Sequence, residues 1–115
     1  MSNILSTLSM SALLAAPLAS AFTLTKVTNR IFSPNVADAA VNRVLFSFAN
    51  PGGDEVTIRI FDVTGRLVRR NLDTQGADMY WNGKDQNGAT VKGGVYIYQI
   101  EASDKVLTGT VVVAK

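Results

Sequence analysis

The larger part of the chain alternates apolar and polar positions with the period of two expected of a half-buried β-strand. In the run Glu55 to Phe61, Val56, Ile58 and Ile60 fall on one face and the intervening side chains are polar or charged. Similar short runs recur after residue 22, separated by Gly, Asn, Asp and Pro, and no helical period follows residue 25. The pattern predicts an all-β antiparallel sandwich of about seven strands. The expected strands are Thr23–Thr28, Val44–Phe48, Glu55–Phe61, Arg66–Arg70, Ala77–Trp81, Val95–Ala102 and Val106–Ala114.

The first 21 residues follow a different pattern. They contain no charged side chain, residues 4–18 are rich in Leu, Ala and Ser, and Ala19-Ser20-Ala21 is a small-residue triplet. We interpret residues 1–21 as a secretory signal peptide cleaved before Phe22, although no Lys or Arg precedes the apolar stretch. The alternative is an apolar helix that persists and lies in a membrane or a filament core. The chain therefore divides into this segment and a β-sandwich domain over residues 22–115.

Composition removes most catalytic chemistry. The 115 residues include no Cys and no His, which excludes thiol nucleophiles, imidazole bases and Cys/His zinc sites. The neighbouring acids Asp54 and Glu55 point to opposite faces of a strand and form no acid/base pair. Net charge is only +2, and the cluster Arg66, Arg69 and Arg70 lacks interleaved aromatics. We therefore expect neither an enzyme nor a nucleic-acid-binding protein.

Three segments, in order, carry a family resemblance. They read IRIFDVTGRLVR at 58–69, WNGKDQNG at 81–88 and VKGGVYIY at 91–98. Residues 55–115 resemble the immunoglobulin-like domain of the flagellar hook-capping protein, which is also found in many exported bacterial proteins. The family pattern usually has Asp where Asn82 stands. The resemblance implies an immunoglobulin-like sandwich, and its motif residues are Asp62, Gly65, Trp81, Asn82, Gly83, Asp85, Gly88, Gly94 and Tyr96.

Most of these motif residues have a structural interpretation. Asp62 and Gly65 fit a turn in which the carboxylate accepts backbone N–H groups, and Trp81 fits a core position. Asp85 with Asn87 offers too few carboxylates for a strong calcium site. The segment 32–42 resembles an entry segment of such domains, and its Asp38 and Asn42 alone are too few oxygen ligands for calcium. We therefore expect no metal and no cofactor.

Two strands are candidates for subunit assembly. Val111, Val112 and Val113 form an apolar run near the end of the last strand, which is either buried or an edge open to strand addition. The extended segment 23–28, including Thr23, Leu24 and Val27, is the natural donor strand.

The functional prediction is a non-catalytic structural module of the bacterial cell surface or a secreted filament. Its partners would be other protein subunits, including copies of itself, and a membrane only if residues 1–21 persist. One alternative is a C-terminal sorting or anchoring domain of the type IX secretion kind. Another alternative is a carbohydrate-binding face built from Tyr80, Tyr96 and Tyr98.

Overall fold

Nine β-strands and no helix form the part of the chain, residues 22–115, that this computed structural model describes. The predicted all-β fold is confirmed, whereas the proposed signal peptide at 1–21 and its cleavage point lie outside the described residues. Nothing in residues 22–115 has the helical length and hydropathy needed to cross a membrane. The strands are β1 Thr23–Thr28, β2 Ile31–Phe32, β3 Val44–Ala49, β4 Val56–Phe61, β5 Leu67–Arg70, β6 Asp73–Gln75, β7 Asp78–Trp81, β8 Gly94–Ala102 and β9 Lys105–Val113.

The strands form two sheets that face one another across the core. The four-stranded sheet has the order β1-β3-β7-β6, and the five-stranded sheet has the order β2-β9-β8-β4-β5. Although β1 and β2 are consecutive in sequence, they belong to different sheets, and β2 pairs parallel with the end of β9. Asn29 lies between them at φ 63°, a left-handed conformation that Asn tolerates better than most residues. This residue turns the chain from one sheet to the other.

Aromatic side chains fill much of the core. Trp81 makes edge contacts with Phe32 and Tyr96, at ring-centroid distances of 5.7 and 5.3 Å. Phe46 makes the same kind of contact with Tyr98 at 5.0 Å. The buried hydrophobic residues come from both sheets: Phe22, Phe32, Val44, Phe46, Ile58, Ile60, Leu72, Trp81, Tyr96, Tyr98, Ile100, Ala102, Val111 and Val113.

The expected count of about seven strands omits two short ones. β2 has two residues and β6 has three, so neither is long enough to show an alternating pattern. Both exist because a neighbouring strand, β9 or β7, offers backbone partners to a passing extended segment. The other seven strands lie within one or two residues of their expected positions.

Candidate functional site

The turn between β4 and β5 is held by the side chain of Asp62. Its Oδ1 accepts hydrogen bonds from the Thr64 N–H at 3.0 Å, the Thr64 hydroxyl at 2.6 Å and the Arg66 N–H at 3.0 Å. Gly65 adopts φ 88°, which the reversal requires, and its N–H donates to the Asp62 carbonyl. The carboxylate therefore stabilises a turn, and most of its accepting capacity is used by the chain itself.

These hydrogen bonds should make stability depend on pH below the neutral range. The Thr64 hydroxyl first, and then the Arg66 N–H, hold the pKa of Asp62 below its ordinary value of 3.8. A lowered folded-state pKa stabilises the fold above the unfolded value, and this contribution is lost as pH falls through the folded value. We expect the melting temperature to fall as pH drops below about 4, and an NMR titration of the Asp62 carboxyl to show the lowered pKa. In T64V, which lacks the Thr64 hydroxyl, the pKa of Asp62 should move back towards 3.8. An Asp62 pKa at or above 3.8 in the parent would contradict the role given to these hydrogen bonds.

The loop between β7 and β8 repeats the same device. Asp85 Oδ1 accepts hydrogen bonds from the N–H groups of Asn87 at 2.9 Å and Ala89 at 3.0 Å. Gly88 takes φ 84° and donates its N–H to the Asp85 carbonyl at 3.0 Å. As at Asp62, an acidic side chain organises a tight reversal through bonds to its own backbone.

Trp81 ties this loop to the core. Its ring is fully buried, and its indole N–H donates to the Lys84 carbonyl at 2.9 Å. Gly83 adopts φ 80° and approaches the loop after β2 so closely that an added Cβ would lie 3.1 Å from two side-chain atoms of Pro34. Asn82 Oδ1 is buried and has no hydrogen-bond partner among the described residues.

The two acidic turns lie on either side of one open groove of about 640 Å³. Its wall includes Asp62, Asp85 and Tyr96, whose hydroxyl donates to the Lys92 carbonyl at 2.6 Å. Burial raises the pKa of Tyr96 above 10.0, and the nearby charge of Asp62 adds to this effect. Gly94, which is also a motif residue, begins β8 two positions before Tyr96. The structure thus brings the motif residues together at one end of the sandwich as linked turns.

The acidic side chains of residues 22–115 do not form the arrangement that a metal site requires. No group of three or more Asp or Glu side chains in that range is arranged to hold a metal ion. In the entry segment, Asp38 Oδ1 accepts the Ala40 N–H at 2.9 Å, and Asn42 uses its amide to donate to the Val36 carbonyl at 3.0 Å. These side chains support loop structure.

The aromatic face expected of a carbohydrate-binding sandwich does not form. Tyr96 and Tyr98 are buried, with 8% and 3% of their surface exposed. Tyr80 is half-buried, and the guanidinium of Arg43 lies over its ring at 4.2 Å from the centroid. Tyr96 and Tyr98 are therefore used by the core and cannot contribute to such a face, whereas a carbohydrate-binding role for Tyr80 alone stays a prediction.

The predicted donor strand pairs within its own chain. Thr23 lies opposite Ala49 and Leu24 opposite Phe48 in the ladder between β1 and β3, and a bulge interrupts the register between Leu24 and Lys26. Leu24 and Val27 pack against the core as partly buried side chains. Exchange of β1 between subunits stays a prediction.

The valine run of β9 has both a buried and an outward side. Val111 and Val113 are core residues, and Val112 between them is half-buried on the outer face of the five-stranded sheet. Ile31 and Phe32 of β2 pair with Val112 and Val113, so the end of β9 is covered by the chain itself. An assembly role for these valines also stays a prediction.

Apolar side chains cover one end of the outer face of the five-stranded sheet, a feature we name the outer patch. Ile31, Val112 and Val95 lie side by side on β2, β9 and β8, and Ile31 and Val95 are 69% and 46% exposed. The next row holds Ile97 opposite Phe61, both half-buried. Sequence reasoning missed the outer patch, because β8 is apolar at consecutive positions and alternation cannot show which valines face outward.

Comparison with known proteins gives one family match and one similar solved structure. The family model described as the FlgD Ig-like domain matches residues 35–105, which is more than half of the chain. The solved structure is the crystal structure of CopC from Methylosinus trichosporium OB3b, whose sequence is 20% identical to this chain. The two structures superpose with a TM-score of 0.49 over 80% of this chain and 92% of the CopC chain. No curated protein sequence matches.

Proposed function

This chain belongs to the FlgD Ig-like domain family, and from that membership we propose that it is a non-catalytic protein-interaction module used in assembly outside the bacterial cytoplasm. Its partners in this proposal are other protein subunits of a cell-surface appendage or extracellular filament. The family name itself refers to a flagellar protein, which supports an assembly role of this kind.

The outer patch is the observation that carries the proposal. Ile31, Val95 and Val112 form a contiguous apolar surface on three adjacent strands, with the half-buried Ile97 and Phe61 beside them. Solvent-facing apolar clusters on a sheet are a common sign of a protein–protein contact. The patch lies on regular strands, and a rigid surface of this type loses little conformational entropy when it is covered.

The remaining features favour contact over chemistry. The sequence contains neither His nor Cys, and among residues 22–115 Asp62 and Asp85 use their carboxylates in their own turns, which supports a non-catalytic role. The uncharged apolar residues 1–21 support export. We therefore place the function in the rigid sandwich and its outer patch.

The test compares whole bacteria of the native strain that produce either the parent chain or the double variant I31E/V95E. We expect the parent in the sheared cell-surface fraction as part of a large assembly, and at least a tenfold loss of the variant from that fraction, because burying two carboxylates is strongly unfavourable. Both residues are exposed, so the variant should keep the unfolding midpoint of the parent.

A matched control places the same charge at another exposed valine. Val36, which is 43% exposed, lies in the loop between β2 and β3. V36E should reach the surface assembly like the parent. Retention of the parent inside the cytoplasm, or normal incorporation of I31E/V95E, would contradict the proposal.

A further inference from the structure

One edge of the five-stranded sheet is open along most of its length. β9 pairs with β8 at every residue, but β2 covers only Val112 and Val113 on its other side. The Val112 N–H points to that other side, since it donates to the Arg30 carbonyl at 2.7 Å. Because backbone groups alternate in direction along a strand, the N–H and C=O groups of Val106, Thr108 and Thr110 point the same way. No strand within residues 22–115 pairs with this stretch, which we name the open edge, residues 106–110.

The open edge lacks the features that usually keep sheet edges from pairing. Edge strands are commonly protected by charges, proline, bulges or short length. β1 carries a bulge and Lys26, and β6 has only three residues, all polar or acidic. β5 ends in Arg69 and Arg70. The open edge reads Val-Leu-Thr-Gly-Thr, with no charge, no proline and no shift of register.

A second copy of the same edge complements this surface. If two copies pair antiparallel about a two-fold axis at Thr108, then Val106 faces Thr110 of the other copy and each Thr108 faces its counterpart. Every outward N–H of the open edge then meets an outward C=O, the Thr110 carbonyl accepting from the Arg30 guanidinium as well, and no charged side chains oppose one another. Val106, now 56% exposed, is covered in the process.

Charges at the two ends of this pairing are complementary. Arg30 lies just beyond Thr110, where its guanidinium reaches the Thr110 carbonyl at 3.4 Å and the Tyr98 hydroxyl at 3.5 Å. In the antiparallel register the turn that holds Asp104 in the second copy arrives at Arg30. Both side chains are exposed, and neither has an ion-pair partner in the described part of the chain. Lys105 does not interfere, because its ammonium group donates to the Phe22 carbonyl at 2.7 Å.

We propose that two copies of this chain associate through antiparallel pairing of residues 106–110, which joins their five-stranded sheets into one. This inference deepens the proposed assembly function and rests on it, but it uses a different surface from the outer patch. The two surfaces together would let a subunit pair with its own kind and still contact another partner.

The experiment measures self-association of the purified full chain by sedimentation equilibrium over a range of concentrations. We expect a reversible dimer. T108K and T108D should each weaken dimerisation by about fivefold or more, because the substituted side chains of the two copies stand directly opposite one another with like charge. An equimolar mixture of T108K and T108D should recover the dimer, which loss of folding could not produce. T74K is the matched control, an exposed threonine of edge strand β6 changed in the same way, and should dimerise like the parent.

The outcomes separate this inference from the proposed function. A monomeric parent, or dimers unaffected by T108K, would overturn pairing through the open edge; the second result would locate self-association elsewhere, residues 1–21 included. Surface incorporation that depends on Ile31 and Val95 would survive either result. Conversely, a dimer sensitive to T108K in a chain that never reaches the cell surface would support the pairing and remove the proposed function.

Discussion

We expect W81A to lose about 3–5 kcal/mol of unfolding free energy, the range found when a buried aromatic side chain is truncated to alanine. Trp81 is fully buried and contacts Phe32 from β2 and Tyr96 from β8, so its ring joins strands of the five-stranded sheet to β7 of the other sheet. Small domains are stable by only about 5–15 kcal/mol in total. The variant should therefore lose a large fraction of its stability and unfold at a clearly lower urea concentration than the parent.

The measurement is urea unfolding followed by far-ultraviolet circular dichroism, because the only tryptophan of the chain is the residue removed. W81F is the informative companion. It keeps an aromatic ring but leaves the Lys84 carbonyl without the indole donor, so we expect W81F to cost about 1–3 kcal/mol, which is less than W81A. A loss below about 1 kcal/mol in W81A would show that Trp81 does not hold the sheets together.

The sheet character of the chain could be predicted because burial on one side imposes a period of two. In β4, Ile58 and Ile60 are fully buried while the alternating residues Thr57 and Arg59 are not, as the sequence pattern indicates. The turns could be predicted for a related reason. An Asp followed three residues later by Gly satisfies its own backbone, as Asp62 and Asp85 do, and needs no distant partner.

The order of strands and the exposed surfaces could not be predicted in the same way. Alternation does not say that β1 and β2 join different sheets, since that depends on Asn29 and on the open side of β9. It also cannot separate Val95, which is 46% exposed, from the buried Val111, because both lie in runs of apolar residues. The outer patch and the open edge are therefore properties of pairing between distant segments.

The second large effect is expected at Gly109, where even one methyl group should destabilise the fold. Gly109 lies opposite Tyr98 in the ladder between β8 and β9. A Cβ at Gly109 would lie 2.3 Å from the Tyr98 Cζ and hydroxyl oxygen, well inside contact distance. The ring cannot easily move, because it is buried against Phe46 and its hydroxyl lies near Arg30. We expect G109A to lose about 1–3 kcal/mol of unfolding free energy, the usual cost of overpacking. The same change at an unobstructed glycine in a strand would raise the unfolding free energy by about 0.5–1 kcal/mol.

A double-mutant cycle with Tyr98 tests this explanation against a general intolerance of β9 to substitution. Y98L lacks the far end of the ring, which includes the atoms that a Cβ at Gly109 would strike. If that contact is the cause, G109A should cost about 1 kcal/mol or less in the Y98L background, and the coupling measured by urea unfolding should be about 1–3 kcal/mol. Equal costs in the two backgrounds would mean that the strand itself rejects alanine. In that case the presence of glycine at position 109 would need a cause other than the Tyr98 ring, which lies where a side chain at Gly109 would have to go.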